Sequence, residues 1–447
     1  MKKIWLTVML IVVGGFAAST VAEVQNIRLS GDIRLRGYLL NEAGADVAGG
    51  TYRQAAGDSQ FIVQRTRVTV VADLADQVLA VVMLKAEGIW GQPSSDNAGR
   101  TLTIGVAEAY VQFRELFGTP ATLKAGRQYL HYGSGLILSS TNQIYSFDAG
   151  RLVLDYQPWT VDVVCAQLAN DQTVTATTAG GQSDLVFVNA KYDASGAVVK
   201  VVEGYIGWAP QSGSPQTFAL SANNPAPLLV GSRTELALAE GWTAAVEGAY
   251  EFGDAGLPVG YARNLSAFLA NAVVKYRFTG VAWTPVLNAA YTYAQGGGSG
   301  LQNDFVPWFD TADGYNGYVF SPALSNIQIF NLGATVKPAA NLSLAMQGFY
   351  YLRADKGSDV FTNPNVNFGG PAFVNNLNNA IGAGSVPASI LNARELGWET
   401  DAIVGYEYSK DVRCQLVYGA FFPSRAGFQG VASHVVNEIR GELTVKF

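Results

Sequence analysis

A transmembrane antiparallel β-barrel of about eighteen strands is the fold predicted by this sequence, and three observations carry the prediction. First, the chain opens and closes on strands with two unlike faces. Ile27, Leu29, Ile33, Leu35 and Leu39 alternate with Arg28, Ser30, Asp32, Arg34, Arg36 and Tyr38, and Val435, Ile439, Leu443, Val445 and Phe447 alternate with Glu438, Arg440, Glu442, Thr444 and Lys446. Two such strands paired edge to edge put both apolar faces on one side, and a closed cylinder leaves no edge unpaired. Second, charged residues are only 14% of the chain, while Gly reaches 49 and Tyr 21. Ordinary globular chains carry about a quarter charged residues, whereas few charges and many aromatics suit a wall that faces lipid. Third, the connections alternate between short turns and long loops, as in an up-and-down membrane barrel with its short turns on the periplasmic rim. A soluble sandwich has no reason to sort its loops in this way.

Taken in order, the chain begins as a secretory signal peptide over 1–22. Met1-Lys2-Lys3 precedes an apolar run from Ile4 to Phe16, and small residues lead to Thr20-Val21-Ala22 before Glu23. That run is too short to anchor in a bilayer, and no later stretch approaches about 18 consecutive apolar residues. A single barrel domain is therefore expected over 23–447, crossing the membrane with strands.

Alternation predicts a strand over 61–74, with Val68, Val70, Ala72 and Leu74 opposite Arg65, Arg67, Thr69 and Asp73. The strand over 77–90 turns Ala80, Val82, Leu84 and Ala86 outward and Lys85 and Glu87 inward. Over 103–117, Ala107, Ala109, Val111 and Phe113 oppose Glu108, Tyr110, Gln112 and Arg114. Further strands are expected over 121–130, 150–157, 158–168, 184–193, 198–209, 228–239, 241–252, 264–279, 281–294, 325–337, 341–353, 394–409, 411–422 and from 433 to the end. In 264–279 the inward phase holds Asn271, Lys275 and Arg277; in 394–409 it holds Glu399, Asp401 and Glu407, with Leu396 and Trp398 outward. Trp90, Trp159, Trp208, Trp242, Trp283, Phe422 and Phe447 lie at strand ends, where interfacial aromatic girdles form. Phe305, Trp308, Phe309, Tyr315, Tyr318 and Phe320 crowd the 295–324 loop and need cover, either inside the barrel or against a partner.

A charge on the lipid face at mid-depth costs about 2–4 kcal/mol for Arg or Lys. The expected pore-lining set is therefore Arg34, Arg36, Arg65, Arg67, Lys85, Glu108, Arg114, Lys275, Arg277, Glu399 and Asp401. A basic arc on the early strands would face acidic groups such as Glu247, Glu251, Glu438 and Glu442. Such an arc either sets a transverse field that orders solutes or pairs internally to fix the wall.

The stretch Leu123-Lys-Ala-Gly-Arg-Gln-Tyr-Leu-His-Tyr-Gly133, with Ser146-Phe-Asp-Ala-Gly-Arg-Leu152, resembles the alginate-export family of outer-membrane barrels. Arg65-Thr66-Arg67, Leu396-Gly-Trp-Glu-Thr-Asp401 and Tyr418-Gly-Ala-Phe-Phe-Pro423 are similar to its beginning and end. The resemblance implies an eighteen-stranded monomeric barrel with a pore for polar or anionic solutes, polysaccharide included. It marks Arg127, Asp148 and Arg151 as motif residues, for which an Arg127–Asp148 ion pair and a solute contact both stand open. No Lys or Arg lies between Tyr132-Gly133 and Phe147.

The function read from the residues is a bacterial outer-membrane channel for passive diffusion of hydrophilic or charged small solutes. The alternative is a polysaccharide export conduit working with periplasmic partners. A wide, arginine-rich constriction would favour the conduit; a bore narrowed by inward loops and charges of both signs would favour the small-solute channel. The partners expected are outer-membrane lipid and lipopolysaccharide, the solutes, and the barrel-assembly machinery through the terminal strand ending in Phe447. A formal charge of −6 is no footprint of nucleic-acid binding. Catalysis is set aside: His131 and His434 are the only histidines, and His131 near Ser134 and Asn142 has no third group to orient it. No cofactor or metal is expected, since Asp304, Asp310 and Asp313 read as solvated loop carboxylates. Cys165 and Cys414, both on outward phases, are expected to remain unpaired.

Overall fold

The computed structural model describes residues 26–41, 46–48, 51–53, 59–91, 103–140, 146–169, 183–196, 198–210, 226–254, 264–297, 304–305, 308–309, 316–356, 360–361, 385–386, 393–424 and 435–447. The expected signal segment, 1–22, and Asn142, Asp310, Asp313, Tyr315 and His434 lie outside the described residues.

Eighteen strands form one sheet closed on itself. They are β1 Asn26–Asn41, β2 Ser59–Ala75, β3 Val78–Ile89, β4 Thr103–Phe113, β5 Ala121–Gln128, β6 Phe147–Tyr156, β7 Trp159–Ala169, β8 Ser183–Asp193 and β9 Val199–Trp208. The second half comprises β10 Ala226–Ala239, β11 Trp242–Asp254, β12 Asn264–Arg277, β13 Val286–Ala294, β14 Ile327–Ala339, β15 Leu342–Arg353, β16 Glu395–Glu407, β17 Val412–Pro423 and β18 Val436–Lys446. Each strand pairs antiparallel with the next, and β1 closes the cylinder on β18, where Leu35 faces Leu443 and Arg36 faces Glu442. No helix among the described residues is long and apolar enough to cross a membrane. The closed cylinder pairs every strand edge, as a strand-built span requires.

The period-two pattern does what the hydrocarbon requires of it. Along β1, Asp32, Arg34, Arg36, Tyr38 and Leu40 are buried inside, while Ile27, Leu29, Ile33 and Leu39 stand on the outer wall. The same outer wall shows Leu332 at 69% and Met346 at 61% exposure, values that only a lipid solvent tolerates around a whole barrel. Aromatic pairs, tilted or stacked, lie at both ends. Trp159–Tyr192 and Trp242–Tyr276 lie toward the short turns, and Phe268–Tyr293 and Trp398–Phe422 toward the long loops. Cys165 and Cys414 are free.

Three departures from the expected alternation have a clear local reason; other register shifts lie near strand ends, as at Asp73–Ala75 and Ala237–Ala239. Between β3 and β4 the register shifts, with Met83 opposite Glu108 but Leu84 opposite Val106. The extra residue, Ala107, is buried inside rather than outward, as a β-bulge demands. In β16, Gly397 takes φ +137, a second bulge that turns Leu396 fully inward while Trp398 stays outside. A side chain at Gly397 would also strike the backbone of Phe422. Finally, the strand expected from 281 begins only at Val286. Residues 278–285 form a longer turn with Gly280, Trp283 and Thr284 left-handed, and Pro285 offers no amide hydrogen to extend the ladder.

Candidate functional site

The bore is not an open tube. Two chain segments enter it, and each is fastened to the inner wall by carboxylates that accept backbone amides. The first leaves β5 after Gln128. Gly133 and Gly135, at φ +60 and +85, let it double back as a small ladder of His131–Tyr132 on Leu138–Ser139. Its apolar side chains Leu130, Tyr132, Leu136, Ile137 and Leu138 are all buried, which gives the run the cover that a surface loop would deny it.

Four carboxylates on the wall hold this first segment. The Tyr129 N–H donates to Glu108 at 3.2 Å, the Gly133 N–H to Glu203 at 3.0 Å and the Ser134 N–H to Glu247 at 2.9 Å. The Ser134 hydroxyl donates to the same Glu247 carboxylate, and the Tyr205 hydroxyl adds a third bond at 2.9 Å. The Tyr132 hydroxyl donates to Asp162 at 3.0 Å, and Arg151 pairs with Asp162 beneath the Tyr132 ring.

The second segment, residues 304–305, 308–309 and 316–326, leaves the connection between β13 and β14. Phe305, Trp308, Phe309, Val319, Phe320 and Leu324 are buried. The N–H groups of Tyr318, Val319 and Phe320 converge on Glu399 at 2.6, 2.8 and 2.8 Å. The Tyr351 hydroxyl bridges the Asn316 carbonyl, at 2.7 Å, and Glu399, at 3.3 Å. Phe320 stacks on Phe421 with ring centres 4.6 Å apart, and the Tyr318 ring sits 5.0 Å from the Arg440 guanidinium carbon. A buried carboxylate is tolerable because it is the acceptor these orphan amides need.

The two segments meet. Ser139 donates to the Phe309 carbonyl at 2.9 Å and Phe309 to the Ile137 carbonyl at 2.8 Å, with Phe147 packed edge-on against Phe309. A strap therefore runs through the bore from the β4–β11 wall to the β15–β18 wall.

On one side of the strap lies a basic wall. Arg34 and Arg36 on β1, Arg65 and Arg67 on β2 and Lys85 on β3 share the interior face with Asp32, Glu87 and Glu442. Arg67 is 2.6 Å from Asp32, Arg65 3.4 Å from Asp32, Arg34 3.4 Å from Glu87 and Lys85 3.3 Å from Glu87; Arg36 pairs with Glu442. Five cations against three carboxylates leave this wall with an excess of two positive charges. On the other side, beneath Ser134 and Asn316, a cavity of about 650 Å³ is lined by β10 to β15.

The remaining sequence-derived residues scatter. Glu399 and Asp401 are fully buried on β16, and Lys275 lines the cavity. Arg277 and Arg114 are exposed at the short-turn ends of β12 and β4, and Arg114 shares its rim with Arg28 and Asp73. Arg127 and Asp148 form a bidentate pair, both bonds 2.8 Å, on the outer face near the long-loop end, while Arg151 points inside. The residues missed from sequence are Asp162, Glu203 and Tyr132. Inward phase was a usable signal for the two acids, but nothing local pointed to the tyrosine. Ser134 and His131 are held on different partners, Glu247 and Ser139. Asp304 accepts the Gly297 amide at 2.6 Å, and among the described residues no three His, Cys, Asp or Glu groups gather as a metal site.

His131, in the inward segment, has its pKa lowered chiefly by burial; Glu203 opposes the shift and Arg233 adds to it. A lowered native pKa means that the released segment binds the proton more readily, so seating is favoured above about pH 6.5 and weakens as acid protonates the ring. Single-channel recordings between pH 7.5 and pH 5.5 should show current fluctuations increasing on acidification, and less steeply in His131→Gln. Identical pH profiles for the two proteins would refute this.

Comparison with known proteins places the geometry. A family model described as alginate export matches residues 42–430. Among solved structures, Acinetobacter baumannii OccAB1 is similar with a TM-score of 0.56 at 14% identity, covering 96% of this chain and 99% of that one. Pseudomonas aeruginosa OpdK with vanillate gives 0.54 at 11%, covering 94% and 98%. A BenF-like porin from Pseudomonas fluorescens gives 0.54 at 9%, covering 95% and 99%. At these identities the likeness is one of fold. The comparison with curated proteins finds no match.

Proposed function

The chain belongs to the alginate export family, as a β-barrel of the bacterial outer membrane, and from that premise we propose that it is a passive channel for small hydrophilic or charged solutes. The observation that carries the reading is the strap. Segments 129–140 and 304–305, 308–309 and 316–326 are fastened to the wall on β11 and β16 through Glu247 and Glu399 and to each other through Ile137, Ser139 and Phe309. A bore so divided, with charges of both signs on its walls, suits small solutes better than a polymer that must thread end to end. Eighteen strands alone leave room for an aqueous lumen, so the strap and not the cylinder sets the width. That barrels of this fold include proteins named as porins supports the same reading.

Solutes pass down gradients in this mechanism, with no turnover chemistry. The basic wall of β1–β3 draws anions, and the seated carboxylates, engaged by amides, contribute less free negative charge to the bore than their number implies.

The family description favours a second reading, export of an anionic polysaccharide. Planar-bilayer recordings separate the two. The channel reading expects steady ion conductance in small salts that a long uronate polymer leaves unblocked. Strong block by micromolar polymer, with no permeation of small organic ions, would favour the conduit.

A further inference from the structure

Opposite the basic wall, the cavity of about 650 Å³ presents a surface of another kind. Three carboxamides on adjacent strands form a row. Asn288 Nδ2 on β13 donates to Asn331 Oδ1 on β14 at 2.8 Å, and Asn331 Nδ2 donates to Gln347 Oε1 on β15 at 3.2 Å. Beside it, Asn271 Nδ2 on β12 donates to the Thr292 hydroxyl at 2.8 Å. All five side chains line the cavity, and no aromatic does so among the described residues.

The row is unfinished. Each carboxamide offers two donors and an acceptor. Among the described residues, the Gln347 amide nitrogen has no acceptor and Asn288 Oδ1 has no donor, and both side chains are only half-buried. The local charge is within one unit of balance: Lys200, Arg233 and Lys275 line the cavity with Glu235 and Glu247, and Arg233 lies 2.6 Å from Glu235 and 3.9 Å from Glu247. A wall of alternating neutral donors and acceptors, already aligned by its own bonds, matches adjacent hydroxyl groups. It offers an ion nothing that the basic wall does not offer more strongly.

We propose that this carboxamide row is a weak binding site for neutral polyhydroxylated solutes, sugars and sugar alcohols, on their way through the bore. The site gives the barrel two unlike walls, one for anions and one for uncharged hydrogen-bonding solutes. The lack of aromatic stacking, and of any charged group within the row itself, keeps residence short, as passage requires. The inference rests on the channel reading above.

The test uses the full barrel in planar bilayers, with sucrose and sorbitol as probes added to the short-turn side. In the wild type, millimolar sucrose should lower the open-channel current beyond the fall in bulk conductivity and add current noise. Asn331→Leu and Gln347→Leu should each raise the half-effect concentration by about tenfold, the value of one or two lost hydrogen bonds. Unchanged current in sugar-free salt would show that these barrels are folded. A milder variant is Gly333→Ala, whose Cβ collides with the Asn288 carboxamide and should weaken the effect without removing any amide. Arg127→Ala, on the outer face, should leave it unaltered. A conducting wild type whose current follows bulk conductivity alone would overturn the proposal, as would leucine variants that keep the wild-type half-effect concentration. A wild type that conducts nothing would instead remove the channel reading, and this inference with it.

Discussion

Glu399→Ala is expected to unseat the second segment and raise single-channel conductance severalfold. In the native barrel this carboxylate accepts the amides of Tyr318, Val319 and Phe320 and the Tyr351 hydroxyl. Truncation leaves three amide donors without their acceptor in a buried site, while the Tyr351 hydroxyl keeps the Asn316 carbonyl. Each unmet donor costs about 1–3 kcal/mol, so the seated state should lose on the order of 3 kcal/mol, about a hundredfold in the seated-to-released ratio. Relief of the buried charge offsets part of this loss, which makes Glu399→Gln the sharper comparison. It retains one acceptor and should give an intermediate conductance with more frequent transitions. Glu247→Ala, which frees the Ser134 amide and hydroxyl, should loosen the first segment in the same way. Arg127→Ala breaks an exposed pair and a 3.4 Å bond to the Val106 carbonyl, both on the outer face, and should leave conductance as it was. Equal conductances for wild type and Glu399→Ala would mean that this carboxylate does not hold the strap.

Replacing Arg34, Arg36, Arg65 and Arg67 together by Gln is expected to shift the permeability ratio toward cations by about tenfold or more. Four charges leave a wall that keeps Asp32, Glu87, Glu442 and Lys85, so its excess turns from two positive to two negative. Two unit charges about 8 Å apart interact with about 2 kcal/mol at an effective dielectric of 20, enough for a tenfold preference even after partial screening. Reversal potentials in asymmetric KCl measure the ratio, and the shift should shrink as salt rises. If the ratio does not move, the arginines serve only to fix the wall through their partners. Since Asp32 and Glu87 each have two cations close by, some loss of stability should accompany the change, read as a lower melting temperature in detergent.

How far the sequence reveals this can be argued from particular residues. The strands were legible because lipid enforces alternation: a slip of one residue would put Arg34 or Glu399 into hydrocarbon. Bulges were not, since Ala107 and Gly397 interrupt the phase without any change in composition around them. That the 295–324 loop needs cover was readable from its aromatics, but its destination was not. Tyr318, Val319 and Phe320 find Glu399 some eighty residues on, through backbone amides that no side-chain pattern encodes. The first segment likewise docks through the amides of Gly133 and Ser134 on β9 and β11. His131 and Ser134, neighbours in sequence, suggested a shared chemistry that their actual partners exclude. The basic wall was read directly from phase, because its members lie on three consecutive strands and face each other in register.

Size exclusion by graded polyethylene glycols, read as single-channel conductance in wild type and Glu399→Ala, tests most directly whether the fastened segments set the bore. Short glycols should enter the wild-type channel and depress its current while longer ones leave it unaltered, and the variant should admit glycols that the wild type excludes. A single cut-off shared by both proteins, set by the width of the eighteen-stranded cylinder, would contradict the account.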